Sequence, residues 1–388
     1  MVIGTLTELA SEHKPVKPRL ALFLPDLNGG GAERVMLTLA QGFLERGIQV
    51  DLVLAHAVGP LLDLVTQGVS LYSLSDGSRF SSRIGLALSA LWGLTRYLRR
   101  EQPTTLMSTL TGANIIAVLA KILARSPTRL VLREANTALN HRSFLTQFAV
   151  RILYPCADAI VAVSQGVQKD LIDRIGISPD KITHIPNPVD IATITRQAEE
   201  EINHPWFYKG QSPVIISLGR LTRQKDFTTL IYAFARLRQT RAARLMILGE
   251  GEERSKLEAL VSRLDLVTDV TLPGFKVNPY PYLQQAALFV LSSRWEGMPS
   301  VILEALAFGV PVVATDCHSG PREILEEGRF GNLVPVGHTQ ALFRAISDAL
   351  DHATKATVLQ TRAEYFSPAS TALRYLAVML PSQAGAKP

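Results

Sequence analysis

Short, nearly continuous apolar runs alternate with helix-length segments along almost the whole of this 388-residue chain. Such runs are typical of parallel strands that are buried on both faces, because helical crossovers cover both sides of the sheet. The alternation therefore predicts an α/β fold built on doubly wound parallel sheets. The predicted strands cover residues 19–25, 48–55, 104–109, 128–133 and 158–164, and then 213–220, 243–251, 269–274, 286–293, 310–316 and 331–336.

A proline-containing stretch at residues 184–190, with the polar segment after it, interrupts this alternation. Prolines and polar residues in such a run are typical of a connection between structural units. The sequence therefore predicts a Rossmann-like N-terminal domain over 18–200 and a Rossmann-like C-terminal domain over 201–365, facing each other across a cleft. Residues 366–388 are expected to form a helix that packs on either domain and then a tail, and residues 1–17 to form a disordered tail.

Positive charge is concentrated in the first predicted domain. The formal net charge is +6, but residues 79–151 alone contain eleven Lys and Arg against two acids, Glu101 and Glu134. Two predicted helices in this segment, at 82–100 and 141–154, join apolar residues to basic ones, which suits an anionic membrane surface. Ordinary packed helices with solvated basic ends explain the pattern equally well. No nucleic-acid-binding motif accompanies the charge, so nucleic acid is not an expected partner.

The two cysteines, Cys156 and Cys317, are far apart in sequence and lack the spacing of metal ligands. We expect two small buried side chains, no disulfide framework and a reducing compartment. No window approaches the roughly 20 apolar residues of a membrane-spanning helix, and the N-terminal tail lacks the apolar core of a signal peptide. The expected location is therefore the cytoplasm, either free or peripheral at the inner face of the cell membrane.

The motif SLGRLTRQKDF, residues 217–227, ends a predicted strand and begins a predicted helix. It places Arg220 and Lys225 in the loop, at the sheet edge where helix N-termini attract anions. A guanidinium fork beside a mobile ammonium suits a diphosphate. The alternative is a pair of solvated loop cations.

A glycine triplet, Gly29, Gly30 and Gly31, follows the first predicted strand and precedes a helix. Consecutive glycines let the backbone approach an anion closely. The triplet belongs neither to a Walker loop nor to a dinucleotide fingerprint, since Arg34 stands where the fingerprint needs its third glycine. A tight turn alone would also explain these glycines.

Two glutamates stand in the motif RWEGMPSVILEAL, residues 294–306. Glu296 lies in a predicted loop after a strand, and Glu304 lies about one turn into the following helix. Carboxylates at such positions can accept hydrogen bonds from hydroxyl groups on either side of a bound phosphate. Alternatively, Glu304 only offsets the helix dipole and Glu296 is solvated.

Taken together and in this order, these motifs resemble the retaining glycosyltransferases of family 4, which have the GT-B fold of two Rossmann-like domains. The resemblance spans about residues 19–380 and includes GGAER at 30–34, SGPREI at 319–324 and the E-x7-E pair. It implies transfer of a sugar from a nucleotide diphosphate sugar, most often a UDP-sugar, to a glycan or lipid-linked oligosaccharide in cell-envelope polysaccharide assembly. The N-terminal domain would bind the acceptor and the C-terminal domain the nucleotide sugar.

The resemblance also implies roles for matching residues. Arg220 and Lys225 would bind the donor diphosphate, and Glu296 would hold the hydroxyls of the transferred sugar, these three forming the catalytic set. Glu304 would bind the ribose hydroxyls. The remaining implied donor-binding residues are Gly29, Gly30 and Gly31 near the diphosphate, Gly297, Met298, Pro299 and Ser300 around the sugar and phosphate, and Gly274, Phe275 and Lys276 around the base.

One departure from the family pattern concerns the acceptor side. Many relatives carry a histidine near the end of the strand that here reads VLREANT, and this chain offers Arg133, Glu134 and Asn136 instead. His141 is a further acceptor-side candidate, but it lies seven residues beyond Glu134, so the role of the family histidine is not assigned to it. Same-face attack, in which the leaving phosphate takes the acceptor proton, would require no strong protein base. No D-x-D pair occurs in the chain, so neither a metal ion nor another cofactor is expected.

Two other functions remain as alternatives. A nucleotide-sugar epimerase of the same fold would convert the donor without any acceptor, and a non-catalytic protein would only sense the nucleotide sugar. The E-x7-E pair favours transfer over the epimerase, and the presence of both hydroxyl-binding and phosphate-binding groups disfavours the sensor.

Overall fold

Two parallel β-sheets, one of seven strands and one of six, form the framework of the part of the chain that the structure describes. The computed structural model describes residues 18–75, 83–137 and 144–380. Helices cover both faces of each sheet, so the predicted pair of Rossmann-like domains is confirmed. The observed strands differ from the predicted ones mainly at the edges of the first sheet.

The first domain contains seven parallel strands in the order β3-β2-β1-β4-β5-β6-β7. The order reverses between β1 and β4, and the crevice at the carboxyl ends of those two strands is where such sheets bind ligands. Its elements are β1 (Arg19–Leu24), α1 (Gly31–Leu44), β2 (Gln49–Leu54), β3 (Ser70–Ser73), α2 (Arg83–Glu101), β4 (Thr105–Thr109), α3 (Thr111–Ala124), β5 (Arg129–Glu134), α4 (Phe144–Leu153), β6 (Ala159–Ala162), α5 (Gln165–Asp170) and β7 (Ile182–His184).

The second domain contains six parallel strands in the order β10-β9-β8-β11-β12-β13, with the reversal between β8 and β11. The elements that follow β7 are α6 (Ile191–Ala198), β8 (Val214–Leu218), α7 (Phe227–Arg238), β9 (Arg244–Leu248), α8 (Arg254–Arg263), β10 (Val270–Thr271), α9 (Tyr280–Gln284), β11 (Leu288–Leu291), α10 (Ser300–Ala307), β12 (Val312–Thr315), α11 (Pro321–Ile324), β13 (Asn332–Val334), α12 (Thr339–Asp351), α13 (Ala356–Glu364) and α14 (Pro368–Met379).

Two strands, β3 and β7, were absent from the sequence prediction. Both lie at the edges of the first sheet, and they have only four and three residues. The side chains of β3 are mostly exposed, because an edge strand is covered less than a central one. Neither strand therefore carries the continuous apolar run that indicates a buried parallel strand.

The last helix, α14, packs on the first domain. Its residues Ala372, Tyr375 and Met379 are buried in the same apolar cluster as helix α1. The hydroxyl of Thr105 in β4 donates a hydrogen bond to the carbonyl of Met379 at 2.6 Å. Of the two alternatives for this helix, the structure therefore selects the crossing back to the N-terminal domain.

The polar connection after β7 contains a helix, α6, that the sequence analysis did not predict. Asp190 caps its N-terminus, since Oδ1 accepts a hydrogen bond from the backbone N–H of Thr193 at 3.0 Å. Ile194 and Ala198 are buried, and the helix packs against α9 and α10 of the second domain. Helix α6 is therefore held to the second domain by apolar contacts as well as by the chain itself.

Cys156 corrects one expectation. Cys317 is buried as predicted, but Cys156, the last residue of the short 3-10 helix that follows α4, is exposed. Among the helices in the described ranges, none is long and apolar enough to cross a membrane.

Candidate active site

Two strand-end loops of the second domain lie side by side at the crevice between β8 and β11. Lys225 Nζ contacts Glu296 Oε1 at 2.6 Å, and the hydroxyl of Ser293 donates to the same oxygen at 2.6 Å. Glu296 is only 7% exposed, so the ammonium is its direct charge partner in a nearly dry site. The structure thus places Lys225, which is predicted to bind the donor diphosphate, in direct contact with Glu296, the carboxylate predicted to bind the sugar.

Gly219, at the end of β8, lets the Lys225 side chain follow this course. Its φ is +155°, and a Cβ there would lie 2.9 Å from Lys225 Cε. The neighbouring Arg220 is exposed, and its charge acts on Glu33 of helix α1 in the other domain. Burial raises the pKa of Glu33 and the positive charge of Arg220 opposes that rise. Arg220 therefore faces the glycine loop across the cleft.

The glycine loop approaches the second domain at Gly29. A Cβ on Gly29, whose φ is +103°, would lie 2.5 Å from Cζ of Phe275. A Cβ on Gly30 would overlap Oε2 of Glu33, whereas Gly31 has open space around it. The positive φ and the close approach therefore favour glycine at position 29, where the loop meets Phe275 of the opposite domain, whereas the clash at position 30 is with a flexible side chain.

The residues beside Phe275 line the ends of strands β9 and β10. The carbonyl of Gly274 accepts a hydrogen bond from the backbone N–H of Gly249 at 3.0 Å. Lys276 Nζ lies 5.9 Å from the ring centroid of Tyr282, a cation–π arrangement. This end of the crevice therefore offers an aromatic ring, backbone groups and a cation.

Glu304 is buried in helix α10 and interacts with Tyr280 and Arg34. Arg34 belongs to the GGAER motif of the first domain, and it donates to the carbonyl of Val277 at 2.5 Å and to Tyr280 Oη at 3.4 Å. Burial raises the pKa of Glu304, while the charge of Arg34 and a hydrogen bond with Tyr280 oppose the rise. Arg34 therefore connects the first domain to the predicted ribose-binding carboxylate.

Replacing Arg34 with methionine is expected to raise the pKa of Glu304 further. A carboxylate must be ionised to accept hydrogen bonds from both ribose hydroxyls, so nucleotide affinity falls as the pH drops through this pKa. The loss of UDP binding on the acid side should therefore occur at a higher pH in Arg34→Met than in wild type. Titration calorimetry with UDP between about pH 5 and 8 measures this midpoint.

Tyr280→Phe provides a matched variant for that experiment, because it removes the hydrogen bond to Glu304 and keeps the ring beside Arg34. The pH midpoint for the loss of UDP binding should also be higher in Tyr280→Phe than in wild type. Identical pH midpoints in wild type and Arg34→Met would contradict the link between Arg34 and Glu304.

The acceptor-side residues Glu134 and Asn136 lie next to the loop that carries Glu296. Glu134 is buried and accepts hydrogen bonds from Tyr154 Oη at 2.5 Å and from the backbone N–H of Asn136 at 3.1 Å. A Cβ on Gly297 would overlap the carbonyl oxygen of Ala135 between them. The third residue, His141, lies outside the described residues.

The motif SGPREI forms a further wall of the site. The hydroxyl of Ser319 donates to the carbonyl of Gly297 at 2.8 Å. Gly320 has φ +93°, and a Cβ there would lie 2.6 Å from Cδ of Pro299. Glu323 accepts hydrogen bonds from the backbone N–H groups of Gln165 at 2.9 Å and Gly166 at 3.2 Å, at the start of α5. The motif therefore contacts the first domain and supports residues 296–300, which we call the glutamate loop.

Sequence reasoning missed four residues that this geometry brings into the site. Arg34 breaks the dinucleotide fingerprint and ends the GGAER motif, which was the available signal, but the sequence analysis assigns it no role. The others had no local signal, because their partners are distant in sequence; they are Tyr154, Asn187 and Tyr280. Asn187 contacts Met298 and Ser300 of the glutamate loop.

Two Rossmann-like domains that meet over charged strand-end loops have the arrangement of a GT-B protein. Residues 29–193 match the model described as Glycosyltransferase Family 4, and residues 198–365 match the model described as Glycosyl transferases group 1. The chain is 32% identical over 377 residues to a Campylobacter jejuni protein, with 92% of this chain and 99% of that protein covered. That relative is the N-acetylgalactosamine-N,N'-diacetylbacillosaminyl-diphospho-undecaprenol 4-alpha-N-acetylgalactosaminyltransferase. The chain therefore belongs to the family 4 glycosyltransferases.

Further relatives and solved structures agree with this family. The lipopolysaccharide core biosynthesis glycosyltransferase LpsE of Rhizobium meliloti is 29% identical, with 82% of this chain and 84% of LpsE covered. The structure of Anabaena HepE in complex with UDP and glucose has a TM-score of 0.77 at 20% identity, covering 93% of this chain and 99% of HepE. WaaG, a glycosyltransferase involved in lipopolysaccharide biosynthesis, gives a TM-score of 0.71 at 16% identity, covering 95% and 100%. At these identities the two structures support the fold alone.

Proposed function

We propose that this chain is a retaining, metal-independent glycosyltransferase that moves a sugar from a UDP-sugar to a lipid-linked glycan in cell-envelope polysaccharide assembly. The contact between Lys225 and Glu296 carries this proposal, because it unites a diphosphate-binding cation with a carboxylate that can accept sugar hydroxyls. UDP is the first nucleotide to test, since HepE was solved in complex with UDP and glucose.

The proposed reaction needs stabilisation of the negative charge that develops on the departing diphosphate. The bond between the sugar C1 and the diphosphate oxygen breaks, and its electron pair leaves with that oxygen. Arg220 and Lys225 then supply fixed positive charge, and the backbone N–H groups of the glycine loop and the α10 N-terminus add to it. These groups take the place that a bound cation has in other transferases.

The acceptor hydroxyl forms the new bond to C1 from the same face. In this step the hydroxyl proton passes to the departing phosphate oxygen, so no strong protein base is required. The burial of Glu134 and its hydrogen bond with Tyr154 fit a structural role behind the acceptor pocket. The sugar thereby keeps the anomeric configuration that it had in the donor.

The proposed acceptor side also carries an exposed apolar and basic surface. On helix α2, Ile84, Leu88, Trp92 and Arg96 follow one another at four-residue spacing, and all are exposed. On helix α4, Phe144 and Phe148 are exposed and stack with centroids 6.5 Å apart. Apolar side chains with nearby basic residues suit attachment to an anionic membrane, where a lipid-linked acceptor resides.

Replacing Trp92 or Phe148 with glutamate is expected to reduce sedimentation with anionic vesicles at least about tenfold, since each change removes apolar contact and adds repulsive charge. Trp92 is 62% exposed and Phe148 55% exposed. Val267→Glu is the matched control, because Val267 is 65% exposed on the second domain. Wild-type protein that does not sediment with the vesicles at low salt, or variants that sediment as well as wild type, would contradict membrane attachment through this surface.

The reaction itself is tested by incubating the donor with and without a polyprenyl-diphosphate-linked oligosaccharide. Transfer predicts a lengthened lipid-linked glycan, one UDP for each sugar added and only slow hydrolysis without acceptor. An epimerised nucleotide sugar in the reaction without acceptor would instead favour the epimerase.

A further inference from the structure

Arg133 in β5 is a fully buried arginine with 0% exposure, among the largest fully buried side chains in the described ranges. Its guanidinium donates to Tyr375 Oη at 3.1 Å, Thr109 Oγ1 at 2.8 Å and Asn187 Oδ1 at 2.5 Å. All three acceptors are neutral oxygens. Burial of a charged group costs free energy unless its hydrogen bonds are satisfied, so these three hydrogen bonds fix the orientation of the Arg133 guanidinium.

The Arg133 guanidinium determines which way the Asn187 amide points. A guanidinium can only donate, so the carbonyl oxygen of Asn187 must face Arg133 and the NH2 group must face away from it. That NH2 group donates to the carbonyl of Met298 at 2.9 Å and to Ser300 Oγ at 3.1 Å. The backbone N–H of Asn187 also contacts Met298 Sδ at 3.2 Å. One side chain thus holds two residues of another loop.

Asn187 lies in the connection between the two sheets, and the residues that it holds lie in the loop between the two glutamates. Met298 follows Glu296 by two residues, and Ser300 begins α10, which carries Glu304. Asn187 is 4% exposed, so water does not compete for these hydrogen bonds. The position and orientation of the glutamate loop at the crevice therefore depend on the Asn187 side-chain amide.

We propose that Asn187, oriented by Arg133, is a positioning residue that sets residues 296–300 for recognition of the sugar part of the donor. This inference rests on the proposed function, since it concerns the same donor pocket. It assigns no contact with the donor to Asn187 itself. Arg220 and Lys225, the cations expected to bind the diphosphate, lie on a different loop from the residues that this amide holds.

Asn187→Asp separates positioning from folding. The aspartate keeps an oxygen for Arg133 and adds an opposite charge, but it replaces the NH2 group with an oxygen that faces the carbonyl of Met298. Two oxygens at that distance repel, so the glutamate loop is displaced while the contact with Arg133 is retained. The expected melting temperature is equal to or above that of wild type.

The readout is the ratio of the dissociation constants for UDP and for the UDP-sugar that wild type prefers. In Asn187→Asp we expect UDP affinity to fall less than UDP-sugar affinity, so that the extra affinity due to the sugar falls about tenfold or more. The kcat for donor hydrolysis should fall in the same variant. A purely structural role would change both dissociation constants together or neither.

Tyr375→Phe is the matched control. It removes a hydrogen-bond acceptor from the other side of Arg133, in helix α14, and leaves the Asn187 amide in place. It should lower the melting temperature by several degrees and leave the affinity ratio unchanged, the reverse of the Asn187→Asp result. If Asn187→Asp does not fold, Arg133→Met provides a second test, because it frees the amide to rotate and should lower the ratio in the same way.

The outcomes distinguish this inference from the proposed function. Wild-type protein that binds no nucleotide sugar overturns the proposed function and this inference with it. If wild type prefers the UDP-sugar over UDP, and Asn187→Asp or Arg133→Met shows the same preference, the positioning role alone is overturned. A Tyr375→Phe variant whose affinity ratio falls as far as that of Asn187→Asp overturns that role as well.

Discussion

Replacing Lys225 with methionine should lower the turnover of the donor roughly a hundredfold to a thousandfold, the usual effect of losing one preorganised donor to transition-state charge. Lys225 is fixed by Glu296 and by the close packing of its chain on Gly219, so its ammonium needs little reorganisation when the diphosphate departs. The loss should appear in kcat, because the charge that it stabilises is larger in the transition state than in the bound donor. Single-turnover hydrolysis of the donor measures this step.

Arg223→Met is the control, because Arg223 is an exposed cation of the same loop. It should retain most of the wild-type activity. Since Lys225→Met leaves Glu296 buried without its ammonium, the variant also needs a melting curve, and Lys225→Met with Glu296→Gln removes that unpaired charge. A Lys225→Met enzyme that is folded and turns over donor at the wild-type rate would contradict the role of the ammonium.

Gly297→Ala should lower turnover about a hundredfold or more, because a well-ordered catalytic loop tolerates only small displacements. The added Cβ would overlap the carbonyl oxygen of Ala135 and lie 2.6 Å from its carbonyl carbon. Both atoms belong to the backbone of another loop, so they cannot rotate away as a flexible side chain would. Glu296 must therefore move with residue 297, or the two domains must separate.

Gly112→Ala is the control for that substitution. Gly112 lies in the first turn of α3 and nothing lies within 4 Å of its Cβ position. Alanine there should leave turnover unchanged and support the helix, given its higher helix propensity. Wild-type kcat in a folded Gly297→Ala enzyme would contradict the close approach of the two loops.

The central strands and the site loops were predictable from sequence because their signals are local. An apolar run identifies a strand buried on both faces, and the loop that follows it must lie at the carboxyl edge of the sheet. That reasoning placed Lys225 and Glu296 at the same crevice, although the ion pair between them joins residues that are 71 positions apart. The short edge strands β3 and β7 lacked this signal.

Contacts between the domains were not predictable in the same way. Arg34 bonds Val277 across 243 positions, and Asn187 bonds Met298 across 111. Each partner is an ordinary residue in its local pattern, and only the packing of two complete domains brings them together. Cys156 illustrates the same limit, since its exposure depends on where a turn falls after α4.

Retaining transfer from a UDP-sugar is tested by hydrolysis of a panel of nucleotide sugars by wild type and Glu296→Ala, with the anomer of the first released sugar identified by NMR. We expect wild type to select one UDP-sugar, the released sugar to have the anomeric configuration of the donor at first, and Glu296→Ala to weaken both selection and turnover. Failure to bind any nucleotide sugar, initial release of the opposite anomer, or epimerisation of the donor would contradict retaining transfer.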